Sequence, residues 1–153
     1  MNKYLGWIKK TRTSLLNMTS DLSLEQINKV PEGFNNNIIW NLGHLVAAQQ
    51  GICYVRSGLS PVVEDQFISP YKKGTKPERF VSDKEVEAVK SLLSSSLDQL
   101  EVDYEMGKFN NYNAWTTPYG VELVSIDDAI LFLQFHEGLH FGYVMAQRRL
   151  VNN

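Results

Sequence analysis

Three candidate helix starts in this chain carry a serine three residues ahead of a Gln, Glu or Asp, at Ser23–Gln26, Ser82–Glu85 and Ser125–Asp128. At this spacing the serine hydroxyl accepts the backbone N–H of the third residue, and the longer side chain can return the bond. Each pair therefore marks where a helix begins. The last two precede long apolar-periodic runs, which commits much of the chain to helix before any other signal is weighed.

The remaining pattern agrees. Leu5, Ile8, Leu15 and Leu16 fall at roughly helical spacing and predict a helix from about Tyr4 to Met18. The first serine pair opens one or two turns of helix that stop at Pro31. Asn35 to Asn37 offer an N-cap and Gly58 a C-terminal stop, with about twenty helical residues between them. Residues 59–81 hold Pro61, Pro70, Gly74 and Pro77 and read as an irregular connection. From Ser82, the positions Val86, Val89, Leu92, Leu93, Leu97 and Leu100 form an amphipathic stripe. An Asn- and aromatic-rich stretch follows, with a small hairpin expected around Pro118 to Gly120. The third serine opens a last helix from about Ile126 to Leu150. Four long helices with long connections between the second and third and between the third and fourth predict an all-α four-helix bundle.

At 153 residues the chain suits a single domain with one core. Its formal net charge of -2 gives no electrostatic case for nucleic acid or an anionic membrane surface. No apolar run approaches the roughly 20 residues of a membrane span, the N-terminus lacks a signal-peptide pattern, and Cys53 has no partner for a disulfide. These features predict a cytoplasmic protein.

The chemistry lies with three histidines, His44, His136 and His140. His136 and His140 are four residues apart, so their rings stack about one turn apart on one helix face and can converge on one ion. Ala129, Phe132, Tyr143 and Gln147 share that stripe. His44 lies on a stripe with Trp40, Ala47, Ala48, Gly51 and Val55, where the small residues leave room beside the imidazole. A lone inward histidine is most often a core residue with a satisfied hydrogen bond. Three of them, all facing inward from two helices, make a good shell for a borderline divalent metal.

The segment HEGLH also matches the zinc-protease pattern H-E-x-x-H, with Glu137 on the shoulder from which such a glutamate acts as a base. No His, Asp or Glu follows His140, so a third ligand must come from upstream, and the chain offers little strand on which to hold a peptide. A metallopeptidase is accordingly the weaker alternative. Glu137 is a candidate proton acceptor or an exposed carboxylate. Asn41, near His44 on the wheel, could support a histidine or serve only as a polar residue of the early helix. Cys53 falls on the opposite side and reads as a small buried hydrophobe. Phe109, Tyr112, Trp115 and Tyr119 could wall a pocket but read first as packing over one end of the helices, and Lys72, Lys73 and Lys76 as a solvated basic loop.

The stretches NNNIIWNLGHLVAAQQ, KKGTKPERF and HEGLHFGYVMAQRRL resemble the DinB/YfiT-like superfamily of small metal-binding helical proteins. The likeness runs over nearly the whole chain. It implies that His44, His136 and His140 bind a divalent metal, zinc or nickel, with open positions for water or substrate. It also implies a small-molecule substrate, since some members look like S-transferases that activate a low-molecular-weight thiol. A neutral three-histidine shell leaves the ion its full charge, which favours activation of water or thiol. The expected function is thus a metal-dependent transferase or hydrolase, with a non-catalytic metal-binding module as the alternative. The last helix is apolar on nearly every side, with Ile130, Leu131, Phe141 and Met145 opposite the histidines, which predicts a homodimer.

Overall fold

The computed structural model describes residues 3–152, and the described chain is mostly helical. The helices are α1 (Lys3–Met18), α2 (Leu24–Asn28), α3 (Ile38–Gln49), α4 (Asp83–Glu105) and α5 (Ile126–Val151). Strands β1 (Trp115–Thr116) and β2 (Glu122–Leu123) pair antiparallel, Trp115 opposite Leu123, which is the expected hairpin. No helix among the described residues is long and apolar enough to cross a membrane.

The serine signals act as the sequence implies, with differences of detail. Ser23 Oγ accepts the Gln26 N–H and the Gln26 side chain accepts the Ser23 N–H, a full reciprocal box. At Ser82 only the first bond forms, because the Glu85 carboxylate accepts from Tyr71 Oη and Arg79 instead. At Ser125 the Asp128 carboxylate takes the N–H of Val124, one residue earlier than the cap. Asn37 caps α3 by accepting the Trp40 N–H.

The helix expected to run unbroken to Gly58 changes its hydrogen bonding on the way. Beyond Gln49 it widens into a π turn, Gln50–Tyr54, then tightens into a 3₁₀ turn, Val55–Ser57. It ends where Gly58 adopts φ +71°, a left-handed value that glycine meets without a Cβ clash.

The long helices pack in a ring: α1 lies against α4 and α5, and α3 lies against the same two. Their interior is two apolar clusters. One holds Leu15, Leu42, Leu45, Val89, Leu93 and Val144. The other holds Leu5, Ile8, Cys53, Leu97, Leu100 and Leu133.

Between these clusters, one polar side chain comes from each long helix: Arg12, Gln49, Ser96 and Glu137. Arg12 is 1% exposed, yet each of its N–H groups has an acceptor. Its Nε and Nη2 donate to Glu137 Oε1 at 3.0 and 2.7 Å, and Nη2 also reaches the Leu45 carbonyl. Its Nη1 donates to Gln49 Oε1 and the Leu93 carbonyl. Ser96 Oγ donates to Gln49 Oε1, and Gln49 Nε2 donates back to the Ser96 carbonyl.

The connection between α3 and α4 is irregular, as expected, but it is not loose. Two 3₁₀ turns, Asp65–Phe67 and Ser69–Tyr71, bring Ile68 and Tyr71 into the core beside α3. Tyr71 can approach because residue 43 is glycine. A Cβ there would stand 2.5 Å from the Tyr71 ring.

Candidate metal centre

The three histidines meet. His44 comes from α3 and His136 and His140 from α5, and one ligand atom of each lies within 4.8 Å of the others. The ring centroids are 5.2 Å apart for His44 and His136, 4.6 Å for His44 and His140, and 4.6 Å within the pair. Trp40, one turn before His44, stacks on its ring at 4.7 Å and an interplanar angle of 9°. Its indole N–H is tied to Thr75 Oγ1 at 3.0 Å.

Outer partners set the tautomers. His44 Nδ1 lies 2.7 Å from the Tyr71 carbonyl, which can only accept, so the proton is on Nδ1 and the Nε2 lone pair is free. His140 Nδ1 lies 2.8 Å from Asn41 Oδ1. The Asn41 amide is oriented by its own donors, since Nδ2 bonds Asn36 Oδ1, the Asn37 carbonyl and Gln147 Oε1. His140 therefore also carries its proton on Nδ1 and presents Nε2. Among the described residues, His136 Nδ1 is buried with no hydrogen-bond partner.

Burial keeps the rings uncharged. It holds His44 below the ordinary histidine value, against the Tyr71 bond that favours protonation. Burial, together with the neighbouring His140, His44 and Arg12, pushes His136 down to about 3. Burial and the adjacent His44 push His140 to about 3. At neutral pH the site offers lone pairs and no positive charge, the donor set that suits a divalent transition metal. Three imidazoles with two tautomers fixed by backbone and amide acceptors match how histidine sites are held.

The histidines open onto a cavity of about 830 Å³. Besides the helical stripe, its walls include Trp115 and Tyr119 from the hairpin region and Lys72 and Lys73 from the connection before α4. For the aromatics the less favoured of two expectations holds. Trp115 and Tyr119 wall the cavity, whereas Phe109 is buried against Tyr54. Lys72 and Lys73 are solvent-exposed, as expected, and also border the cavity.

Glu137 points elsewhere. It is 1% exposed, bound to Arg12 in the polar layer, and absent from the cavity wall. It is therefore not the exposed carboxylate the helix pattern allowed, nor is it placed to take a proton in the cavity. Cys53 is fully buried away from the cavity, as its helix position indicated, and burial raises its thiol pKa to about 12 despite Arg12. Asn41 does support a histidine.

The sequence pattern did not single out Tyr71, because it acts through its carbonyl, which carries no residue signature. Gln147 was visible only as a member of the His140 stripe, two turns on.

A family model described as the DinB superfamily matches residues 8–144. The chain belongs to that superfamily. A comparison with curated proteins found no match.

Proposed function

We propose that this chain is a small metalloenzyme on a four-helix bundle scaffold. In this reading His44, His136 and His140 hold a divalent transition metal, zinc or nickel, and act on a small molecule as a thiol-dependent S-transferase or a hydrolase. One observation carries the proposal: three uncharged imidazoles converge within 4.8 Å on the wall of a cavity large enough for a small substrate. When bound, the metal supplies Lewis acidity, which makes water or a thiol nucleophilic near neutral pH.

The chain's own residues do the rest. Tyr71 and Asn41 fix two imidazoles in the ligating tautomer. Trp40 braces His44 from the side. Phe132, Leu139 and Tyr143 give the cavity apolar wall beside the histidines, which limits bulk water there.

The metallopeptidase alternative loses support from the same geometry, since Glu137 is committed to Arg12 and each strand has two residues. Elemental analysis of protein purified without a His tag tests the metal, with close to one equivalent expected and a tenth or less refuting it. Cobalt-substituted protein tests the open positions. Its visible spectrum should change when low-molecular-weight thiols are added, and an unchanged spectrum would leave only metal storage or sensing. We further infer a cytoplasmic homodimer formed through the outer face of α5, where Leu131 and Met145 of the expected face stay exposed, whereas Ile130 and Phe141 pack into the core. A monomer in light scattering would end that part of the proposal.

A further inference from the structure

The cavity carries charge that the histidines do not use. Its cationic wall residues are Arg56, Lys72 and Lys73, against one acid, Asp65. The chain as a whole is at net -2, so the positive cavity does not simply follow from composition. Asp65 sits 3.8 Å from Lys72. Arg56 has no carboxylate partner among the described residues, and its guanidinium rests on the Trp115 ring, 4.4 Å from the centroid.

The backbone puts Arg56 there by an irregular route. In an uninterrupted α-helix it would lie about 120° round from His44, off the cavity face. The π turn at Gln50–Tyr54 spends one extra residue, which turns the following segment back by about 100°. Arg56 thereby joins the histidine's side of the helix, roughly three turns away from it.

A second and independent sign stands at the start of that π turn. Gln50, on the cavity wall, is fully buried. Its Oε1 accepts the Val62 N–H at 2.9 Å, which fixes the orientation of the amide. That leaves Nε2 buried with no acceptor. A buried donor without a partner is costly, and an anionic ligand would supply the missing acceptor.

We propose that Arg56 and Gln50 Nε2 form an oxyanion subsite in this cavity, remote from the three histidines. Its ligand is a small anion that bears a carboxylate or phosphate. Lys72 and Lys73 add to the attracting field. The Arg56 fork matches either oxyanion, and it can leave the Trp115 face at small cost to take one. The proposal deepens the reading of the cavity as a small-molecule site: the anionic end is held here while the other end reaches the histidines.

The test is a nitrogen–proton NMR titration of the full chain, metal-free and zinc-loaded, with inorganic phosphate and succinate as separate probes. The expected result is that at least one probe moves the Arg56 Nε and Gln50 side-chain amide signals in both forms. Whichever binds tighter identifies the oxyanion. Arg56→Gln should weaken binding about ten- to hundredfold and Arg56→Lys less, since lysine keeps the charge and loses the fork. Lys84→Gln, on α4 outside the cavity, should leave binding unchanged. Silence of both signals at millimolar probe, or an affinity unaltered in Arg56→Gln, overturns the subsite. Binding that requires zinc and survives Arg56→Gln also overturns it while leaving the metal proposal intact. Arg56-dependent binding by protein that takes up no metal keeps the subsite and removes the metal reading.

Discussion

At the scale of single residues, the arrangement of the three histidines depends on atoms outside the cluster. Asn41 Oδ1 accepts the Nδ1–H of His140, and the Asn41 NH₂ group is itself held among three acceptors. Asn41→Ala should weaken zinc binding about ten- to hundredfold in a chelator competition, with little change in the far-ultraviolet helix signal. Asn41→Asp should retain more affinity, because a carboxylate still accepts from Nδ1. Proton binding gives a second prediction. The three rings are held below the ordinary histidine value of 6.5, so the folded chain binds fewer protons there than the unfolded chain. Stability of the metal-free protein is therefore full above that value and falls as pH drops below it. His136 and His140, held furthest down, account for most of the loss as pH falls from 6.5 toward about 5. Chemical denaturation across that range checks this, and the loss should shrink in His140→Gln. The three histidines and their common inward face were legible in the sequence, because a four-residue spacing translates directly into one helix face. Their tautomers were not, since a backbone carbonyl at residue 71 leaves no mark in the sequence.

At the scale of elements, the approach of the Tyr71 turn to α3 is set by the absent side chain of Gly43. In Gly43→Ala the new methyl would meet the Tyr71 ring at 2.5 Å, so the turn must retreat and take the carbonyl off His44. The expected cost is about 1–3 kcal/mol in thermal or denaturant unfolding, with weaker metal retention alongside. Gly138→Ala on exposed α5 meets nothing within 4 Å and should instead stabilise by up to about 1 kcal/mol. A destabilised Gly138→Ala would show that this face is covered in solution. Helix starts were readable because a serine cap is a local device. The π turn was not, because a shift from i+4 to i+5 bonding is decided by what the segment packs on, and Gln50 to Tyr54 carry no marker of it. For the same reason the chain from 59 to 81 reads as loose although Ile68 and Tyr71 are buried.

At the scale of the whole molecule, Arg12 and Glu137 join the first and last helices within the polar layer between the two apolar clusters. Arg12→Met leaves a carboxylate buried without its cation and should cost about 3–5 kcal/mol in urea unfolding. The double variant Arg12→Met/Glu137→Met should recover most of that loss, because two apolar groups of similar volume need no partner. A double variant as unstable as the single one would show that the layer contributes more than mutual neutralisation. This pair was the least legible feature, since its partners lie at opposite ends of the chain and each looks locally like a surface charge. Glu137 in particular sits inside a motif that suggests catalysis, and only the position of Arg12 settles what it faces. The histidines are divided in the same way between an early helix and the final one. A ribosome must therefore deliver the first donor long before the other two, and a half-made chain has no place to hold an ion. On the proposed metal reading, loading comes late in the life of each molecule, and occupancy would then be a proofreader's mark that the last helix has docked.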